Sequence, residues 1–266
     1  MPAHQPMMVP IETPLTFSGF HSTVLQEFGP MFQQMGVHAV QGGASGALTS
    51  ATPSGDWKEA LRPGDLIAGV LVSGDMNVTV IGTTTYNDGK RVLGFGHPMF
   101  NLGPVNMPMS KGEVLTVLAS QFQPNKIANA TGIVGALKQD RHSGIMGELG
   151  TASEMIPVTV KVRSYDEAGA IRKEKDLNFN VFVQQKWTPY LMTVTLFNSI
   201  SGMNDFAEET TFRLSGQVEL EGQQSLALST MLAPGDVPMP ASMMLASWWG
   251  DKFNRLFCKC SHDAAA

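Results

Sequence analysis

Few charges and almost no cysteine are the first features of this sequence. Only 15% of its 266 residues are charged and the net charge is −5, whereas about 25% of residues are charged in an average globular protein. Because nucleic-acid-binding proteins usually carry a basic face, this balance argues against a nucleic-acid partner. The two cysteines, Cys258 and Cys260, exclude a disulfide framework. With His262 they form only a weak metal-binding pattern, so we interpret them as free thiols.

Long apolar runs and cofactor motifs are also missing. No stretch of about 18 apolar residues is present, which argues against a membrane-spanning helix. The opening string MPAHQPMMVPIETPL lacks the basic and apolar parts of a signal peptide. The histidines are scattered, and no phosphate loop or dinucleotide fingerprint occurs. We therefore predict neither a metal nor a cofactor, in a chain whose 43% hydrophobic residues can bury a sizeable core.

Turn signals divide the chain into four predicted segments. The first two are a lead-in at 1–60, with a helix at 20–35 and a Gly/Ser-rich loop at 41–56, and a β region at 61–155. In the β region, Asn87-Asp88-Gly89 predicts a hairpin turn, and a loop over 96–112 is expected before the strand EVLTVLASQF. Short strands between glycine-rich turns are typical of a β barrel or an open β sheet.

The other two segments are 156–239 and 240–266. In the third, Val158, Val160 and Val162 alternate with polar residues, which predicts an antiparallel sheet or sandwich with one buried face. We also assign LMTVTLF, residues 191–197, to this sheet. The fourth segment contains an amphipathic helix over 240–257, and one ring of Trp248-Trp249 is expected to anchor it. The predicted fold class is therefore mainly β, with a short N-terminal helix and a C-terminal helix.

The most unusual local string is GFGHP at 94–98. Its histidine, His97, closes the second strand of the predicted hairpin and stands between glycine and proline. Strand ends beside loops are places where catalytic groups are often mounted. A histidine bonded within a structural turn is the alternative interpretation.

Several strings around GFGHP resemble one known family when they are taken together. They are LRPGD and GVLVSGDM, then IGTTTYNDGKRVLGFGHP, NLGPV, QDRHSGIMGELG and ASWWGDKFNRLF, in that order along the chain. The sequence resembles the SpoIVB-type serine peptidase domain, in its longer branch from bacteria that do not sporulate. The resemblance runs from Ile11 to Phe257. It implies a chymotrypsin-like barrel over 61–155, a protein or peptide substrate and an extracytoplasmic location.

The resemblance also implies a role for His97, as the general base that takes the proton of a serine hydroxyl. In the family this serine lies in a Gly-Met-Ser-Gly-Ser-Pro string, which is absent from this sequence. The nearest fragment is Gly43–Ala47, around Ser45. Ser143, which follows Asp140-Arg141-His142, is a second internal candidate. Neither serine stands in a recognisable nucleophile motif.

The acidic partner of His97 is equally open. Asp75, in the turn after the strand GVLVSG, is a candidate to orient His97 across the barrel, although a turn-capping role is the simpler interpretation. Asp140 is the other candidate, and a solvated or salt-bridged pair with Arg141 is its simpler interpretation.

Two interpretations of the whole chain follow. In one, Met1 is an internal start, and the serine and the export signal lie upstream in a longer serine peptidase. In the other, the chain is a non-catalytic, β-rich binding or scaffold module of the bacterial cell envelope that keeps the peptidase fold.

Overall fold

The computed structural model describes residues 13–43, 48, 52–53, 55–118, 125–203, 209–236 and 239–257. Strands dominate this part of the chain. The first six strands are β1 Thr13–Ser18, β2 Val37–Gln41, β3 Leu66–Gly74, β4 Asn77–Asn87, β5 Arg91–Gly94 and β6 Gly103–Leu118. The others are β7 Asn125–Arg141, β8 Gly144–Leu149, β9 Met155–Tyr165, β10 Ile171–Phe182, β11 Phe212–Val218 and β12 Leu226–Leu232. The helices are α1 Ser22–Gln34, α2 Trp187–Ile200 and α3 Ala241–Phe257, with a short 3-10 turn at Gly55–Glu59.

Ten of the strands form one sheet that partly closes on itself. The order is β2-β1-β4-β5-β8-β7-β6-β3-β10-β9, and an additional pairing joins β3 to β4. Strands β3 to β8 therefore follow one another around a ring. Strands β11 and β12 form a separate hairpin. The prediction of a mainly β fold is confirmed.

The main hydrophobic core includes residues from every strand of the ring and from the three helices. The contributors include Ile67 of β3, Val80 of β4, Val92 of β5, Met107 of β6, Leu137 of β7 and Ile145 of β8. The opposite face of β3 buries Leu66, Ala68 and Val70 in a second, smaller cluster. Strand β3 is therefore buried on both faces, which explains why its sequence is apolar without alternation.

The predicted hairpin at Asn87-Asp88-Gly89 is confirmed. Gly89 has a φ of 86°, and the Asp88 carboxylate accepts hydrogen bonds from the backbone N–H groups of Lys90 and Arg91 at 2.9 and 2.6 Å. Strand β5 then returns antiparallel to β4. This hairpin carries the chain directly into the string that contains His97.

The predicted loop at 96–112 is wrong over most of its length, because β6 begins at Gly103. The two prolines within β6, Pro104 and Pro108, had favoured a loop in the prediction. They pair only with β7, whereas β6 meets β3 only at Met109–Lys111. A strand with a neighbour on one side tolerates proline where the missing N–H would face the open side, since no ladder bond is then lost.

The strand predicted for LMTVTLF is also wrong, because these residues lie inside α2. The helix is buried on nearly all sides, from Trp187 to Ser199, so its sequence shows no amphipathic period. Two of its buried hydroxyl groups bond within the helix: Thr195 Oγ1 donates to the Leu191 carbonyl and Ser199 Oγ to the Thr195 carbonyl, each at 2.7 Å. Burial overrides the β propensity of its threonines and valine.

Helix α3 packs against α2 where Gly250 lies beside Pro189 and Thr193. Trp249 packs on the main core and stands 5.1 Å from the Phe253 ring. Within the described residues, none of the helices combines the length and apolar character needed to cross a membrane. The division into four segments stays a prediction. Strand β3 of the predicted segment 61–155 pairs with β10 of the predicted segment 156–239, so these two segments share one sheet.

Candidate functional site

His97 lies on the loop of residues 95–102 that joins β5 to β6, and its side chain is exposed. Its Nδ1 atom is 2.8 Å from the Pro98 carbonyl oxygen. A carbonyl oxygen can only accept a hydrogen bond, so Nδ1 must carry the proton. The other ring nitrogen, Nε2, then has a free lone pair in the neutral imidazole. A general base that acts through Nε2 requires this tautomer.

The Asp140 carboxylate binds this loop through three hydrogen bonds. The residue stands near the end of β7 with only 3% of its surface exposed. Its Oδ1 accepts the N–H of Met99 at 2.8 Å, and its Oδ2 accepts those of Phe100 at 2.8 Å and Leu102 at 3.1 Å. The interpretation of Asp140 as a solvated or salt-bridged partner of Arg141 is wrong, because a loop with unpaired N–H groups needs a buried acceptor.

Two apolar side chains fasten the same loop. Met99 is 4% exposed and lies against the bare backbone of Gly69 on β3. The Phe100 ring stands 4.4 Å from the ring of Trp187, the first residue of α2. The loop that carries His97 therefore bonds to β7 through hydrogen bonds and packs against β3 and α2. These contacts fix the position of its backbone.

The turn between β7 and β8 lies beside this loop. Arg141 pairs with Gly144 across the turn, and Ile145 pairs with Gly94 of β5. A Cβ on Gly144 would stand 2.8 Å from the Gly94 carbonyl oxygen and 3.4 Å from the Gly96 nitrogen. Ser143 is exposed in this turn. The structure thus brings the His97 loop, Asp140 and the turn with Ser143 to the same end of the ring.

Asp75 lies elsewhere. It precedes β4, whereas the His97 loop follows Gly94, which pairs with Thr84 of β4. The seven residue-to-residue steps from Asn77 to Thr84 span about 23 Å at about 3.3 Å per step. The Asp75 carboxylate accepts the N–H of Asn178 at 2.6 Å, and the Asp75 N–H donates to the Asn178 carbonyl at 3.0 Å. Asp75 therefore fastens β10 to the end of β3.

Other candidate sites contribute little. Ser45, Cys258, Cys260 and His262 lie outside the described residues. Among the residues that are described, no three side chains of His, Cys, Asp or Glu form a metal site. An open groove of about 550 Å³ between residues 59–66 and 111–114 includes no residue of the His97 loop or of the 141–144 turn.

Comparisons with protein-family models, with curated proteins and with solved structures give no match for this chain. Two elements of the site's geometry were not predicted from the sequence: the hydrogen bonds of Asp140 to the loop and the contact of Gly144 with Gly96. A signal for the Asp140 bonds was the run of loop N–H groups from Met99 to Leu102, because N–H groups without strand partners need another acceptor.

Proposed function

We propose that this chain is the histidine-bearing part of a SpoIVB-type serine peptidase domain. His97 is the general base for peptide-bond hydrolysis. The observation that carries the proposal is the hydrogen bond from His97 Nδ1 to Pro98, on a loop that Asp140 fixes. It leaves Nε2 unprotonated on an exposed side chain, where it can take the proton of a serine hydroxyl.

The reaction follows the usual course of acyl transfer. The serine oxygen attacks the peptide carbonyl carbon while its proton moves to His97 Nε2, and the same proton then passes to the leaving amine nitrogen as the C–N bond breaks. Water hydrolyses the acyl-enzyme by the same route. The Pro98 carbonyl fixes the tautomer, which a carboxylate does in most catalytic triads. Asp140 acts one step further away, as a positioning residue.

The ring of six strands supports the finer fold assignment, a chymotrypsin-like barrel. The proposed nucleophile is a serine in a Gly-Met-Ser-Gly-Ser-Pro segment of a longer polypeptide, and Ser143 is the internal candidate because it shares the end of the ring with His97. A protein or peptide substrate and an extracytoplasmic location belong to the same proposal. Fractionation of cells that produce the natural polypeptide tests the location.

Labelling with a fluorophosphonate probe, which reacts with activated serines, tests the proposal. We would compare the 266-residue chain with a form extended upstream in frame, each with and without His97→Gln. We expect His97→Gln to lower the labelling rate by about 100-fold or more, the usual contribution of a general base. The matched control is His38→Gln, an exposed histidine on β2, which should label at the normal rate.

The labelled residue distinguishes the nucleophiles. Labelling of the extended form alone identifies the upstream serine, whereas labelling of the present chain that is lost in Ser143→Ala identifies Ser143. If neither form labels, or if His97→Gln labels normally, the proposed activity is wrong. The non-catalytic scaffold module then becomes the better description.

A further inference from the structure

Phe95, two residues before His97, has a backbone conformation that bulky residues rarely adopt. Its φ is 71°, and the Gly96 N–H donates to the Gly94 carbonyl at 2.9 Å. This is the i to i+2 hydrogen bond of a γ-turn with a positive central φ, which is rare and strained. Glycine would adopt the same φ without strain. A phenylalanine at this position therefore needs a compensating contact from its side chain.

The backbone of Gly82 provides that contact. The Phe95 ring lies flush against this glycine of β4, and a Cβ at position 82 would overlap the ring atoms Cδ2, Cε2 and Cζ. The Phe95 N–H also donates to the carbonyl of Thr83, the next residue of β4, at 3.0 Å. The φ of Gly82 is not positive, so its backbone is open to any residue type. The Phe95 ring therefore explains why position 82 is occupied by glycine.

The Phe95 ring also touches the imidazole of His97. The two ring centroids are 5.5 Å apart and the ring planes meet at 69°, which is the edge-to-face geometry that aromatic pairs prefer. One side chain thus connects the rigid strand β4 to the exposed imidazole. The Nδ1 bond to the neighbouring Pro98 carbonyl is the other contact that orients the imidazole.

We propose that Phe95 is a positioning residue: its ring, packed on Gly82, holds the exposed His97 imidazole in the orientation that keeps the Nδ1 proton on the Pro98 carbonyl and so leaves Nε2 unprotonated. The inference rests on the proposed function for the use of Nε2. The orientation itself is a property of the chain alone. It predicts that Gly82, which does not touch His97, acts on His97 through the Phe95 ring.

Nitrogen NMR of the His97 imidazole in the 266-residue chain tests this, because it reports the ratio of the Nδ1–H to the Nε2–H tautomer at neutral charge. In Phe95→Leu we expect this ratio to fall by about twofold to tenfold, the range that one edge-to-face ring contact supports. Gly82→Ala should lower it similarly by displacing the ring. In the Phe95→Leu background, Gly82→Ala should have no further effect, since the ring is gone.

Two controls separate positioning from general damage. Phe212→Leu removes a half-buried ring on β11, and Gly216→Ala adds a Cβ to a strand glycine with open space around it. Both should leave the tautomer ratio of His97 unchanged. Amide spectra check that each variant is folded. If Phe95→Leu does not fold, Gly82→Ala alone decides the question.

An unchanged ratio in folded Phe95→Leu would overturn the inference. So would an equal effect of Gly82→Ala with and without the Phe95 ring, because Gly82 would then act by another route. Fluorophosphonate labelling keeps the two proposals apart. If the ratio falls as expected while no form of the chain labels, the peptidase proposal fails and the positioning role of Phe95 stands.

Discussion

Removal of the Asp140 carboxylate is the perturbation that the structure predicts most sharply. In Asp140→Ala the N–H groups of Met99, Phe100 and Leu102 lose their acceptor together. A hydrogen bond to a charged group contributes about 1.5–3 kcal/mol. The Met99 bond is fully buried, whereas water can partly replace the other two. We therefore expect Asp140→Ala to lower the free energy of unfolding by about 4 kcal/mol.

Asp140→Asn should cost about half as much, about 2 kcal/mol. An asparagine keeps one acceptor oxygen, which can serve Phe100 and Leu102 as Oδ2 does now. Its NH2 group then faces the Met99 N–H, so that donor meets donor. The order of stability should be wild type, then Asn, then Ala.

Urea unfolding measures the two free energies, and native-state hydrogen exchange shows where the loss occurs. At about 1.4 kcal/mol per factor of ten, Asp140→Ala should speed exchange of the Met99, Phe100 and Leu102 amides by about a thousandfold if the loop opens locally. Asp65→Ala is the control, since its exposed carboxylate accepts one backbone bond, from Arg62 at 2.8 Å. A loss in Asp140→Ala as small as in this control, below about 1 kcal/mol, would refute the reasoning.

Three further outcomes are expected. Gly144→Ala should destabilise the chain by about 2 kcal/mol in urea unfolding, because Gly144 has a φ of 143° and lies beside the Gly94 carbonyl; an unchanged midpoint would contradict this packing. Thr188→Val should cost about 2 kcal/mol in the same assay, because its hydroxyl donates to the Phe182 carbonyl at 2.7 Å and accepts the Gln184 N–H at 2.8 Å; Thr188→Ser should recover most of it. The backbone N–H groups of Arg91 and then Lys90 lower the pKa of Asp88, so an NMR titration of its carboxyl carbon should give a midpoint below the usual value of about 3.9. The stability that these bonds add is present above about pH 3.9 and is lost as the pH falls through the lowered pKa. A midpoint at or above about 3.9 would contradict this prediction.

Local patterns in the sequence predict local structure here, and fail where burial comes from several sides. Val158, Val160 and Val162 lie half-buried on one face of β9 while the residues between them are exposed, because one face of an edge hairpin contacts the core. The turn at Asn87-Asp88-Gly89 depends on its own side chains and was equally predictable. Helix α2 was not, since a segment surrounded by core shows no period of either kind.

The residues of the candidate site could be proposed from the sequence, whereas their contacts could not. His97, Asp140 and Ser143 were all candidates from sequence, and the structure places the His97 loop, Asp140 and the Ser143 turn at one end of the ring. Asp140 bonds to Met99 across 41 positions of sequence, a contact that no local pattern reveals. The separation of Asp75 from His97 depends on how β4 pairs with β5 within the ring, which the sequence of either strand alone does not determine.

The proposed general base is His97, acting through Nε2. The most direct test is the tautomer of neutral His97 in the unmodified chain, read from the nitrogen chemical shifts of its imidazole. The hydrogen bond to the Pro98 carbonyl predicts a dominant Nδ1–H form. A dominant Nε2–H form would contradict the account, because Nε2 would then have no lone pair to accept the proton of a serine.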